Sequence, residues 1–382
     1  MSVSWGDHLV FGEGKGKLQT PESLDQSFAK WKKKLNIETI LWRENRSRQD
    51  DYVFTAKGYE YAEKIHKNIP DFDDFEISTS IAHQHGLKNY VYVTLNDHGW
   101  PLPDENIRKF SYHNKWHAKD ISFQTKFSHE NPKYVLEDRF GNKQWGVLCL
   151  AYPEVREHLQ SQYLKLINGY DFDGIFLCLR SQSKPPDFAD QFGFNEPIVK
   201  EFQNKFGKNI LKDDFDLQLW RDLQGEHLTL FLSELNNKLK KNHRSLGIGC
   251  SRGEVLGPPL NNTTLNWRKW VDKQLVDFIA IDQNSSKCPS LWIDLWPMHR
   301  GYGYLQNYND KFKMESLSED LEKIYSKKFP NNTSKLYISR QWANTTSKDQ
   351  EEILQYSCVS GLVFSSFRYE NQSAIKKNNW SI

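Results

Sequence analysis

Residues 170–183 read YDFDGIFLCLRSQS, and the middle of this stretch decides the fold. GIFLCL (174–179) is apolar at every position and is bounded by Asp173 and Arg180. A short, unbroken apolar run is the mark of a strand buried on both faces, whereas a half-exposed strand alternates. Helical patterns flank it at 153–166 and 197–206, so the unit is helix, buried strand, helix. Working outward, similar runs occur at TILWR (39–43), YVYVTL (90–95) and GVLCLA (146–151). Four more follow: LGIGC (246–250), FIAID (278–282), LYISR (336–340) and LVFSS (362–366). Further helical patterns fall at 217–239, 267–275 and 317–325. Eight buried strands alternating with helices predict an α/β fold: a single (β/α)8 TIM barrel with an extra N-terminal helix at about 23–35.

One domain is expected over 1–382, with 1–20 as an N-terminal tail. The segments after the second and sixth expected strands, from Asn96 to about Trp145 and from Gln283 to about Met314, are long. Long connections of this kind usually carry function, and both leave the C-terminal strand ends where barrel enzymes place their active sites.

Composition narrows the function. The 51 basic and 49 acidic side chains nearly cancel, which argues against a phosphate-backbone binder, so no nucleic-acid partner is expected. No apolar run approaches the length of a membrane-spanning helix, and no membrane partner is expected. The five cysteines are scattered without a CxxC pair, so neither a metal centre, a cofactor nor a disulfide framework is expected. The first residues show no signal peptide, which fits the cytoplasm; a periplasmic or secreted protein is expected instead if a leader has been removed. The sequence says nothing of the oligomeric state.

Residues just past the strands would line one cleft. Arg43, Arg180, Arg252, Arg340 and Arg368 follow five different expected strands, although the chain has only 14 Arg. Guanidinium groups bind carboxylate or sulfate in bidentate fashion, so converging arginines point to an anionic ligand; rim ion pairs are the alternative. Glu44, Asn96, Asp97, His299 and Gln341 add polar groups at the same level, and Trp100, Trp296 and Trp342 add rings. Aromatic faces with a few hydrogen-bonding groups suit a sugar ring, so the expected partner is a carbohydrate substrate. Hydrolysis of a glycosidic bond needs two carboxyl groups. Glu254, two residues after Arg252, is the first choice, with Asp282 as partner and Asp190 as competitor; each could instead be an Arg-paired structural carboxylate.

Other motifs carry less. Asn195-Glu196-Pro197 reads best as a helix start, and His83-Gln84-His85 before Gly86 as a helix C-terminus. The glycines of 12–16 follow no strand and make no phosphate loop.

Beyond the residue-level reading, LWRE, HGLKNYVYVTLNDHGWP, GVLCLAYPEVRE, YDFDGIFLCLRSQS, ADQFGFNEPIVKEF, SRGEVLGPPL, WPMHRGYGYLQ and GLVFSSFR resemble an uncharacterised bacterial group of family-10-like glycosyl hydrolases. The resemblance runs from about Trp31 to Arg368 and implies a glycoside-hydrolase-like TIM barrel acting on a polysaccharide or oligosaccharide. One position departs. Related barrels commonly carry an Asp shortly after the Asp-Gly pair of the fourth strand, where this chain has Cys178. Either the carboxylate pair lies elsewhere, or hydrolysis has been lost and a non-catalytic carbohydrate-binding barrel remains.

Overall fold

The computed structural model describes residues 1–10, 18–44, 52–54, 67–96, 98–101, 121–141, 143–179, 192–252, 255–256, 263–285, 317–339 and 347–370. Its centre is an eight-stranded, all-parallel sheet in sequential order. The strands are β1 (Ser2–Val3), β2 (Thr39–Arg43), β3 (Lys88–Thr94), β4 (Gly174–Cys178), β5 (Ser245–Arg252), β6 (Phe278–Ser285), β7 (Lys335–Ser339) and β8 (Gly361–Val363). The first and last edges meet: Ser2 bridges Ser365, and its N–H donates to the Phe364 carbonyl at 2.7 Å. The sheet therefore closes into a (β/α)8 barrel.

The helices named below are α1 (Trp5–Val10), α2 (Pro21–Leu35), α3 (Asp74–Gln84), α4 (Pro153–Gly169), α5 (Glu196–Phe206) and α6 (Leu217–Lys241). α2 shows why they form where they do. The Thr20 hydroxyl accepts from Ser23 N–H while the Ser23 hydroxyl accepts from Thr20 N–H, Pro21 opens the first turn, and three lysines close the last. Leu24, Phe28 and Trp31 fall on one face and are fully buried against the barrel.

Three expectations are corrected. GVLCLA (146–151) is not a barrel strand. Lys143–Leu148 pairs antiparallel with Val135–Glu137 in a hairpin outside the barrel, where Val147, Cys149 and Ala151 join a second core with α5 and α6. The eighth strand is β1, inside what was read as tail. Two residues suffice because β2 and β8 flank them. Consequently α2 is no extra helix but part of the first crossover. The long stretch after β3, expected as a loop, carries strands: Gly99–Pro101 and Ile121–Thr125 pair antiparallel, and Tyr52–Phe54 from the β2–β3 connection joins them in a small sheet.

The barrel wall has two unlike faces. Ile40, Trp42, Val91, Val93, Ile175, Leu177, Ile248, Ile279, Ile281 and Ile338 pack outward beneath the helices. Leu41, Tyr90, Tyr92, Phe176, Cys178, Phe278, Ala280, Tyr337 and Val363 form a separate inner cluster. Its rings stack and cross: Phe176 lies parallel to Phe278 at 5.9 Å, while Tyr92 meets Phe176 edge-on at 5.0 Å. Tyr90 and Tyr337 meet Phe278 edge-on at 5.4 and 5.5 Å. Gly247 and Gly249 of β5 make room for them. A Cβ on Gly247 would lie 2.0 Å from Phe278 Cζ, and one on Gly249 would lie 2.5 Å from Phe176 Cζ.

Candidate functional site

Alternation along the strands fixes which positions reach the barrel mouth. Leu41 is inward, so Arg43 is the next inward position on β2; its guanidinium lies over the Tyr92 ring at 5.9 Å. The adjacent Glu44 N–H is tied to the Tyr92 carbonyl at 2.9 Å. On β6, Phe278 and Ala280 are inward and Asp282 takes the next alternate position, in register with Ser339 of β7. On β4 the inward positions are Phe176 and Cys178, the latter fully buried, so the departure noted in the sequence falls on the inner face.

Asn96, just past β3, is buried and donates from Nδ2 to the Leu179 carbonyl at 2.8 Å, holding the ends of β3 and β4 together. Trp100 sits in the strand Gly99–Pro101, which pairs with Ile121–Thr125. Arg252 ends β5 beyond a register shift and pairs with Ser285. Arg368 is not at a strand end: β8 stops at Val363, and Arg368 lies in the helix Ser366–Glu370. Of the five arginines, Arg43 thus marks the mouth most clearly. Asp97, Arg180, Asp190, Glu254, Trp296, His299, Arg340, Gln341 and Trp342 lie outside the described residues.

The lesser motifs resolve locally. Asn195 does take the N-cap position of α5, but its side chain does not cap. Oδ1 accepts from Glu137 N–H at 3.1 Å and Nδ2 donates to the Val135 carbonyl at 2.9 Å, clamping the hairpin to α5. Glu196 is exposed beside Lys200, whose ammonium lowers its carboxyl pKa. His83 and His85 end α3 with Gly86 at φ 63°; they pair with Asp173 at 3.0 Å and Asp25 at 2.7 Å. No cluster of metal-ligating side chains occurs among the described residues. The four described cysteines are buried, and burial pushes the Cys149 thiol up to about 12.

A side cavity of about 40 Å³ lies between the ends of β3 and β4, the hairpin, α5 and α6. Its wall is mostly apolar, with Asn96, Gln224, His227 and Thr263 as polar members. Gln224 and His227 are three residues apart on α6, one face of a helix. That spacing was visible in the sequence, but nothing there said which face turns to the strand ends.

No family model matches this sequence, and no curated protein does. Solved structures do. The catalytic domain of β-amylase from Paenibacillus polymyxa aligns over 96% of this chain and 96% of that one, with a TM-score of 0.54 and 10% identity. The glycoside hydrolase domain of PgaB (BpsB) from Bordetella bronchiseptica covers 98% and 97% at a TM-score of 0.45 and 9% identity. The noncanonic maltogenic α-amylase AmyB from Thermotoga neapolitana covers 97% of this chain and 67% of its own, at 0.45 and 11%. The β-amylase likeness holds over nearly the whole chain and is a likeness of fold: this chain is a (β/α)8 TIM-barrel protein. No described helix is long and apolar enough to cross a membrane.

Proposed function

We propose that this single-domain chain is a glycoside hydrolase that cleaves a polysaccharide or oligosaccharide at the C-terminal mouth of the barrel. What supports the reading is the barrel of β-amylase-like fold, plugged on its inner face by rings, with Asp282 two residues beyond the inward Ala280 on β6. In the proposed reaction one carboxyl group protonates the leaving oxygen and a second acts as base or nucleophile. Asp282, Glu254 and Asp190 supply the pair. Arg43, stacked over Tyr92 at the same mouth, supports an acidic glycan bearing uronate or sulfate. Arg180, Arg252, Arg340 and Arg368 extend that anionic subsite, Glu44, Asn96, Asp97, His299 and Gln341 supply hydrogen bonds, and Trp100, Trp296 and Trp342 supply stacking faces.

A second reading is favoured by one observation. Cys178, buried at the inner face of β4, places a thiol where related barrels carry a carboxylate. That reading is a non-catalytic carbohydrate-binding barrel. A reducing-sugar release screen on uronate-bearing, sulfated and neutral glycans separates the two: the hydrolase releases reducing ends from an acidic glycan, whereas the binding barrel retains glycan affinity and releases none.

A further inference from the structure

The end of β5 is anchored from outside the barrel sheet. β5 closes on Arg252 beyond a register shift at Cys250, so regular pairing with β6 no longer guides its last residues. Two residues, Gly253 and Glu254, separate it in sequence from a small hairpin in which Val255–Leu256 pairs antiparallel with Thr263–Thr264. The hairpin sits beside the barrel mouth: Thr263 lines the side cavity together with Leu95, Asn96 and Leu179 from the ends of β3 and β4. It is docked by one face of α6, where Gln218, Asp222, Gly225 and Thr229 follow at helical spacing. The Thr264 hydroxyl donates to Asp222 Oδ1 at 2.6 Å. Gln218 Nε2 donates to the same carboxylate oxygen at 2.8 Å and to the Thr264 hydroxyl at 3.0 Å. Further along the face, Trp270 Nε1 donates to Thr229 Oγ1 at 2.8 Å. Between these contacts Gly225 admits the hairpin backbone: a Cβ there would lie 2.4 Å from the Thr264 carbonyl oxygen. Glycine inside a helix is unfavourable, so its place within the 25 residues of α6 answers to this close approach.

We propose that Asp222 and Gly225 are positioning residues: through Thr264 they hold the hairpin, and the hairpin sets where the end of β5 delivers the Glu254 carboxyl group. The inference rests on the hydrolase reading above and deepens it, since Glu254 is one of the carboxyl groups named there. A carboxyl group acting as acid or base must stand within hydrogen-bond reach of the atom it serves. A strand end that has left its register does not supply such placement unaided, and the α6 dock is its second anchor. Ordinary contact begins near 3.4 Å, so a Cβ on Gly225 would drive the two backbones apart by about 1 Å. A displacement of that size at a reacting group costs about a hundredfold in rate.

The test is reducing-sugar release from polygalacturonate and chondroitin sulfate by wild type, Glu254→Gln, Gly225→Ala, Thr264→Val and Thr264→Ser, with Tm measured on each. We expect Gly225→Ala and Thr264→Val to lose roughly tenfold to a hundredfold in kcat at nearly unchanged KM. Thr264→Ser, which keeps a hydroxyl for Asp222, should restore the wild-type kcat. If Gly225→Ala does not fold, the contrast between Thr264→Val and Thr264→Ser carries the same comparison. A dock that serves stability alone would lower Tm and leave kcat at the wild-type value. That result, with Glu254→Gln inactive, overturns the positioning role and leaves the hydrolase reading standing, as does a Thr264→Ser variant no faster than Thr264→Val. Wild-type release by Glu254→Gln removes Glu254 from the chemistry and this proposal with it, while hydrolysis stands on other carboxyl groups. No release by wild type defeats both.

Discussion

The two faces of the barrel wall solve the same packing problem in opposite ways. Outside, many branched aliphatic side chains share the burial, and each helix covers several of them. Inside, a few rings fill the space, and each depends on a particular neighbour: Phe278 on Gly247, Phe176 on Gly249. The outer face is redundant and the inner face is keyed.

The largest effect expected from this contrast is Phe278→Ala, which removes the ring that three others contact. It should cost about 3–5 kcal/mol, against about 0.5–1.5 kcal/mol for Ile248→Val on the outer face of the adjacent strand. Urea unfolding of both variants checks the ratio; equal costs would erase the distinction. Next comes Gly247→Val, whose Cβ would fall 2.0 Å from Phe278 Cζ. Alone it should destabilise by about 1–3 kcal/mol through overpacking. In a Phe278→Ala background the added methyls enter the vacated space, so a double-mutant cycle should show strong favourable coupling.

The smallest effect lies outside the barrel wall, at His227 on α6. Burial lowers its imidazole pKa from the ordinary 6.5, against the pull of Glu201 at 2.8 Å; Arg156 and Lys205 add to the lowering. The fold therefore favours the neutral imidazole more than the unfolded chain does, where the proton is taken up near 6.5. The stability this contributes is complete above that value and is lost as pH falls through it toward the lowered folded pKa. Urea midpoints for wild type and His227→Gln, measured above and below 6.5, should converge on the acid side.

Much of the wall was legible because a strand buried on both faces writes an unbroken apolar run, as GIFLCL does at 174–179. Two of the corrections, at GVLCLA and at Ser2–Val3, share a cause. GVLCLA has the composition of a buried strand, but it pairs in a hairpin outside the barrel, and Val147, Cys149 and Ala151 are buried with Phe194, Ile198 and Trp220 in the second core. Ser2–Val3 is too short to show any pattern and is a strand only through the partners on either side. The tryptophans tell the same story for the site. Trp5, Trp31, Trp42, Trp220, Trp267 and Trp270 are buried structural residues, so aromatic abundance alone did not mark a sugar site. Asn96 and Arg43 were legible as strand-end groups because each ends or directly follows an apolar run.

The most direct test of the account is reducing-sugar release from a uronate- or sulfate-bearing glycan by wild type, Asp282→Asn, Glu254→Gln and Asp190→Asn, each shown to keep the wild-type Tm. The account predicts release by wild type and a loss of at least two orders of magnitude in Asp282→Asn and in one of the other two, as expected for removal of an acid or base group. Wild-type rates in all three variants would contradict it.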